Sequence, residues 1–596
     1  MTPSSIEPGV SGTKQVPGTS PYTLGKELHT PSDTGQWWRR AVIYQIYPRS
    51  FKDSTGSGMG DLAGITAELP KIATLGVDAI WLSPFFDSPQ RDAGYDVSDY
   101  RSVDPLFGTL DDAQNLIDTA AGHGIKTIID IVPNHCSNEH ALFKAALAAA
   151  PGSAERAMFH FADGTGVGGN TPPNNWSSLF GGPGWTRITE SDGSPGQYYF
   201  HLFDATQPDF NWRNPAVEAE FEATLRFWLD RGAGGFRIDV AHAMFKKEGM
   251  PDWHGAPDGT PTPGFPFAEA PMYGQPELHT VFARWREICE QYPGEPVLCS
   301  EANARPLTRL ADWVAPGQMH QSFNFDYLRT LWDRDALAAV IGESLAAFDT
   351  VGAPTTWVLS NHDVSRHATR FGLDGVALDL GDGIGPRDPQ PDEELGQARA
   401  RAATLFMLGL PGGAYLYQGE ELGLGDHTTL EDRYRQDPGF LRTNGAKTGR
   451  DGCRIPLPWV HDAPAAGFSP TGESWLPQPA GWAGFSRDLQ EEDPASTLNL
   501  YRRALGLRSE LGLGLGSLAF YTNPALPEVL AIRNGDTVNV LNLSGTAVPL
   551  PRGELLLCSD AAGTADAAAG WLGPNSAAWL RTLEAAGDAA GDEENV

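Results

Sequence analysis

Four short segments of this chain carry acids, histidines and an arginine at spacings that suit glycosidic chemistry. They are Asp130-Ile-Val-Pro-Asn-His135, Gly235-Phe-Arg-Ile-Asp-Val-Ala-His242, Ser300-Glu-Ala-Asn303 and Leu359-Ser-Asn-His-Asp363. Each closes a strand-like run. Cleaving a glycosidic bond with retention takes one ionised carboxylate as nucleophile and one protonated carboxyl as acid, about 5–5.5 Å apart across the scissile bond. Asp239 suits the first role. It follows Arg237 by two residues, so on a strand both side chains share a face, where the cation favours the ionised form. Glu301 suits the second. Its sequence neighbours, Val297-Leu-Cys299 and Ala302, bring no cation, which is compatible with the raised pKa of a proton donor. Asp363 adds a third carboxylate that can grip sugar hydroxyls in the distorted ring of an oxocarbenium-like transition state. His362 and His135 can donate hydrogen bonds to the same hydroxyls.

Such groups need a scaffold that delivers strand ends to one place. From Trp37 onward, short apolar runs alternate with amphipathic helical patterns, the signature of repeated βα units and a parallel sheet. Eight strand candidates can be counted: residues 42–47, 79–83, 127–132, 235–239, 297–301, 322–325, 356–360 and 414–417. Helical patterns at 218–231, 278–291 and 396–409 separate some of them. This alternation predicts an α/β fold, a (β/α)8 TIM barrel with its chemistry at the carboxyl ends of the strands. The span from 136 to 212 is far longer than the usual βα loop of about 2–6 residues, so it reads as an inserted lobe after strand 3. Short alternating runs such as Glu528–Arg533 and Thr537–Leu543 predict a C-terminal antiparallel β domain. The expected layout is a disordered leader at 1–35, the barrel at 36–135 and 213–511, the lobe at 136–212, the β domain at 512–584 and an acidic tail at 585–596.

Composition narrows the partners. The chain has 596 residues, 41% of them hydrophobic, and a formal net charge of −32 from 43 Lys+Arg against 75 Asp+Glu. That charge repels phosphate backbones and anionic lipid, so nucleic acid and membrane partners are not expected. Cysteines at 136, 289, 299, 453 and 558 show no Cys-x-x-Cys pairing, which argues against a disulfide framework or a zinc site and for a reducing, cytoplasmic setting. The first 35 residues lack both a basic start and an apolar stretch, so they do not read as a secretory signal.

Taken in order, the four segments resemble the signature regions of the α-amylase family of glycoside hydrolases. The resemblance extends from Trp37 to about Arg581. Gln207-Pro-Asp-Phe-Asn-Trp212 is similar to a signature of the oligo-1,6-glucosidase and α-glucosidase branch. Asp92-Ala-Gly-Tyr-Asp96 resembles the segment that supplies an Asp and a stacking Tyr95 to the terminal sugar. Gly449-Arg-Asp-Gly-Cys-Arg-Ile-Pro-Leu-Pro-Trp459 resembles the stretch whose first Arg, here Arg450, pairs with that Asp. The resemblance implies Asp239, Glu301 and Asp363 as catalytic residues, and Asp92, Tyr95, His135, Arg237, His362 and Arg450 as substrate-binding residues. It also implies a capped pocket and exo action on small carbohydrates. The family's calcium loop reads here Asp53-Ser-Thr-Gly-Ser-Gly-Met-Gly-Asp61, with Thr55 and Ser57 in place of an amide and a carboxylate. Asp53 and Asp61 are therefore weak metal candidates; no cofactor is required, and calcium or magnesium should bind poorly if at all.

The leading expectation is a retaining exo-acting α-glucosidase that works on short malto- or isomalto-oligosaccharides through a covalent glucosyl-Asp239 intermediate, with transglucosylation as a competing outcome. In relatives, a Val directly after the nucleophile, here Val240, accompanies α-1,6 cleavage. The following Ala241-His242-Ala243 departs from that pattern, and both α-1,4 and α-1,6 linkages stay open. Phe143, Trp176 and Trp185 in the lobe are candidates for an aromatic acceptor platform or for packing. The alternative is a glucosyltransferase or isomerase of trehalose synthase or sucrose isomerase type. A non-catalytic transporter-associated subunit is the remote alternative, disfavoured because all three acids are present. The expected state is a monomer or small homo-oligomer.

Overall fold

The computed structural model describes residues 15–16, 22–29, 35–255, 270–374 and 381–582. Eight parallel strands form one sheet: β1 (Val42–Ile46), β2 (Ala79–Leu82), β3 (Lys126–Ile131), β4 (Gly235–Ile238), β5 (Val297–Ser300), β6 (Gln321–Ser322), β7 (Thr356–Val358) and β8 (Gly413–Tyr417). Their spatial order is β6-β5-β4-β3-β2-β1-β8-β7. The Thr356 hydroxyl donates to the Ser322 carbonyl and ties the two end strands together, closing a TIM barrel. Strands β1 to β5 are apolar runs buried on both faces, as a parallel sheet jacketed by helices requires. Inward residues of the barrel, among them Ile43, Trp81, Ile128 and Cys299 from these strands and Tyr415 from β8, pack as one interior cluster.

The helices begin where the chain supplies caps. Thr109 and Asp112 form a reciprocal capping box at Leu110–Gly122, and Asp392 accepts from the Leu395 amide at the start of Glu393–Leu408. The sixth strand is shorter than its apolar run predicts. Asn324 caps a helix at Phe325–Arg329 by accepting from the Tyr327 amide, so only Gln321–Ser322 pairs and 323–325 leave the sheet.

Between β3 and β4 the chain carries a helix (Ala141–Ala148) and a three-stranded antiparallel sheet. Phe143, Trp176 and Trp185 are buried in this region: Phe143 packs on Phe159 and Tyr199, and both tryptophans pack on Phe200. They are packing residues and present no platform to an acceptor.

A seven-stranded sheet follows the barrel, with antiparallel pairing throughout. It corrects the expectation of a disordered leader for residues 15–16 and 23–29, because Gln15–Val16 pairs with Gly553–Glu554 and Thr23–His29 forms an edge strand against Leu518–Thr522; for 1–14, 17–21 and 30–34 that expectation lies outside the described residues. Most of Thr23–His29 is solvent-exposed, so it carries none of the alternation that marks a half-buried strand. His29 pairs with Asp349 at 2.7 Å. The expected acidic tail at 585–596 lies outside the described residues.

Tyr22 anchors this N-terminal segment. It is 8% exposed, its hydroxyl donates to the Pro549 carbonyl at 3.1 Å, and its ring stacks on Tyr521 at 5.3 Å. Tyr22→Ala is expected to cost about 2–4 kcal/mol, and Tyr22→Phe about 1 kcal/mol. Urea unfolding monitored by tyrosine and tryptophan fluorescence measures both, and equal midpoints for the wild type and Tyr22→Ala would show that the segment contributes nothing.

Candidate active site

The residues singled out in the sequence converge beyond the carboxyl ends of the strands. Asp239 follows β4 and its amide donates to the Ile131 carbonyl; Glu301 follows β5 and its amide donates to the Ile238 carbonyl. His135 follows β3, Asp363 lies in the turn after β7, Asp92 and Tyr95 lie after β2, and Arg450 lies after β8. A cavity of about 160 Å³ is lined by Asp92, Tyr95, His135, Asp239, Glu301, Asp363 and Arg450, among others. Two larger clefts, of about 300 and 320 Å³, lie at the opposite, amino-terminal end of the barrel, far from these acids.

Arg237 organises one wall. Its side chain is 2% exposed, and Nη1 donates to Asp239 Oδ1 at 2.5 Å and to both oxygens of Asp130 at 2.9 and 3.1 Å. The register of β3 against β4 places Asp130 opposite Arg237. Nη2 lies 3.8 Å from Glu301 Oε2, so the acid that seemed free of cations in its local sequence has one on the neighbouring strand. The Val240 amide donates to the same Oε2 at 2.8 Å. That amide is aimed by a left-handed backbone at Val240, φ 45° and ψ 38°, a conformation that β-branched residues rarely adopt.

Burial pushes the carboxyls of both Asp239 and Glu301 upward; Arg237 opposes this in each, and Asp239 is also raised by the charge of Glu301. The direct 2.5 Å bond to Asp239, against 3.8 Å to Glu301, means that Arg237 favours the ionised form of Asp239 more than that of Glu301. Two carboxyls in one site are thus given different surroundings by their distance from one guanidinium.

The opposite wall is built around Arg450. Its Nη1 bonds Asp363 Oδ1 at 2.7 Å, its Nη2 lies 3.3 Å from Asp92 Oδ1, and its Nε donates to Asp437 Oδ2 at 2.5 Å. Arg454 adds a 3.0 Å bond to Asp363 Oδ1. Burial alone would raise Asp363, but His362, Arg450, Arg454 and Arg237 together hold it well below the usual carboxylate range. Asp92 is pushed up to about 6 by burial, with Arg450 opposing. Gln207 donates to Asp92 Oδ2 at 3.0 Å.

The histidines stay neutral. Burial lowers His362 to about 3 and His135 to about 4, and in both a nearby aspartate opposes the shift. His362 stacks face to face on Tyr95 at 5.3 Å with its Nε2 2.6 Å from the Tyr95 hydroxyl, and that hydroxyl donates to Asp130 at 3.0 Å.

Sequence reasoning missed Asp130, Asp437 and Arg454, and the lining residues Leu179, Phe180, Phe203, His242 and Asn303. Asp130 and Arg454 stand inside motifs that were singled out, but their partners are set by strand register and by packing over long separations. Asp437 has no local signal at all.

The loop from Asp53 to Asp61 does not fit a cation. Asp53 Oδ1 accepts from the Thr55 amide at 2.9 Å, the Thr55 hydroxyl at 3.1 Å and the Gly56 amide at 2.8 Å, and Oδ2 accepts from the Gly58 amide at 2.7 Å. Asp61 accepts from the amide and hydroxyl of Ser54, both at 2.8 Å, and from the Gly64 amide at 2.6 Å as a helix cap. Donor hydrogens occupy the oxygen faces that a hard cation would need.

Comparison with known proteins agrees with this architecture. The α-amylase catalytic-domain profile matches residues 45–513. A probable α-glucosidase of Rhizobium meliloti (strain 1021) is 37% identical over 499 residues, covering 81% of this chain and 85% of that protein. The oligo-1,6-glucosidase IMA5 of Saccharomyces cerevisiae (strain ATCC 204508 / S288c) is 31% identical, with coverages of 81% and 85%. The crystal structure of an α-glucosyl transfer enzyme, XgtA, superposes with a TM-score of 0.77 at 36% identity, covering 92% of this chain and all of that one. The profile match, these relatives and the barrel that delivers three acids to one cavity together make the chain a member of the α-amylase family of glycoside hydrolases.

Proposed function

We propose that this enzyme is a retaining, exo-acting α-glucosidase that releases glucose from the non-reducing end of short malto- or isomalto-oligosaccharides. The observation that carries the reading is the convergence of Asp239, Glu301 and Asp363 on a small cavity walled by the Asp92–Arg450 pair. In this reading Asp239 attacks the anomeric carbon, Glu301 protonates the leaving oxygen, and a covalent glucosyl-Asp239 intermediate forms. Glu301, now a carboxylate, then takes a proton from water as the intermediate is hydrolysed. Asp363, held ionised by Arg450 and Arg454, binds sugar hydroxyls and stabilises the developing positive charge. Asp92 and Arg450 hold the terminal sugar and limit the pocket to one glucosyl unit. The likeness to an α-glucosyl transfer enzyme favours a second outcome, in which a sugar acceptor replaces water at the intermediate.

The five cysteines are all buried and unpaired, which supports a reducing, cytoplasmic setting. No described helix is long and apolar enough to cross a membrane.

Chromatography of the products from maltose, isomaltose, sucrose and trehalose tests the reading: glucose as main product supports it, and isomerised disaccharides without free glucose reject it. Asp239→Asn is expected to lower kcat by at least about three orders of magnitude, measured on maltose or isomaltose, and a variant of near-wild-type rate would remove Asp239 from the nucleophile role.

The pH profile of kcat/KM is expected to be bell-shaped. Activity is lost on the acid side as Asp239 takes up a proton, and on the basic side as Glu301 loses its own. Because burial raises Glu301, the basic limb lies above the ordinary glutamate value of 4.5. With glucosyl fluoride, whose leaving group needs no protonation, Glu301→Gln should keep far more of the wild-type kcat/KM than it does with maltose and show no basic limb; a limb that survives the substitution belongs to another group.

Activity is further expected to be indifferent to chelation, because the carboxylates of the 53–61 loop are engaged by protein donors. A melting temperature that moves by several degrees between EDTA and millimolar calcium would contradict this.

A further inference from the structure

An ion pair links the inserted lobe to the segment after β8 beside residues that line the cavity. Arg442 Nη1 bonds Asp204 Oδ2 at 2.6 Å, and its Nη2 donates to the Gly181 carbonyl at 3.0 Å. The pair is only partly exposed, at 26% and 24% of the two side chains. Gly181 sits in a loop whose path uses left-handed backbone at Gly181 and Gly182, φ 97° and 80°. That loop carries Leu179 and Phe180 into the cavity lining, and Phe203 lines it beside Asp204.

Both ends of the pair connect onward to the site. Asp204 donates its amide to Gln207 Oε1 at 3.0 Å, and Gln207 donates to Asp92. Arg442 ends the short helix Pro438–Arg442, whose cap Asp437 accepts from Arg450. Arg450 then reaches Asp92 and Asp363. Asp92, Gln207, Asp204, Arg442, Asp437 and Arg450 therefore form a closed circuit around one side of the pocket. Its one link between two partly exposed side chains is Asp204–Arg442.

We infer that Asp204 and Arg442 are positioning residues that latch the lobe loop over the bound glucosyl unit and thereby set substrate affinity. The inference rests on the α-glucosidase reading above and deepens it. Neither side chain lines the cavity, so their loss should leave the acids in place and act on binding. With the latch open, Phe180 and Phe203 lose their fixed position against the sugar, and KM rises while kcat changes little.

The test uses Asp204→Asn, Arg442→Gln and the double variant, with p-nitrophenyl α-glucoside as substrate. Asp204→Asn keeps a side-chain oxygen able to accept from the amide and hydroxyl of Thr206, both now 2.9 Å from Asp204 Oδ1, and so removes the charge and the Oδ2 acceptor that faces Arg442 while leaving that turn intact. Each single variant is expected to raise KM about three- to fivefold, the range open to a partly exposed pair, with kcat within twofold. The double variant should be no worse than the worse single one, and Arg442→Lys should recover part of the loss. Wild-type KM should also rise with added salt while that of the double variant stays flat. Hydrogen exchange without substrate reads the latch directly. The Leu179 amide, bonded to the Leu202 carbonyl, and the Gly181 amide, bonded to the Ser178 carbonyl, should exchange at least severalfold faster in Arg442→Gln. Unchanged KM together with unchanged exchange overturns the latch. A wild-type protein that cleaves neither this substrate nor maltose overturns the function instead, and leaves the exchange result to judge the latch.

Discussion

A single buried guanidinium, that of Arg237, is the constraint on which one wall of the cavity depends. A charge removed from water must be met by opposite charge and hydrogen bonds, or the fold loses several kcal/mol. Asp130 meets it from the neighbouring strand with both oxygens, and Asp239 meets it from two residues onward. Asp130 is itself pinned by the indole of Trp81 and the hydroxyl of Tyr95. The cation is thus fixed before any substrate arrives. Its unequal distances to Asp239 and Glu301 then create two different carboxyls from two similar ones.

Arg450 does comparable work on the other side with the opposite arithmetic. There one guanidinium is shared among three carboxylates, Asp92, Asp363 and Asp437. The result is an ionised Asp363 beside an Asp92 whose burial outweighs its share of the cation. A cavity lined by a strongly anionic group and neutral histidines suits stabilisation of positive charge, as the proposed transition state requires. Neutrality of His362 and His135 follows from the same burial, which disfavours any further charge in a site already crowded with it.

Much of this was legible in the sequence, for reasons particular to each element. The eight apolar runs stood out because strands buried on both faces must be apolar almost throughout, and Asp239, Glu301 and Asp363 stood out because each closes such a run. The N-terminal strand Thr23–His29 did not stand out, since an exposed edge strand needs no apolar pattern. Phe143, Trp176 and Trp185 showed the converse: aromatic residues in an irregular stretch carry no mark that separates a platform from a core. The absence of a cation near Glu301 was a statement about four neighbours along the chain, and Arg237 stands 64 residues away, at 301 minus 237.

The sequence by itself determined which chemical groups exist, which of them end strands and which pairs share a strand face, because those properties depend on residues a few positions apart. Only the tertiary structure decided which charges meet. Asp130 and Arg237 are 107 residues apart, and Asp363 and Arg450 are 87 apart. Their contacts are set by strand register and by how loops fold over the barrel mouth. Protonation in a buried site depends on distance and solvent exclusion, and neither is a property of any local stretch of chain.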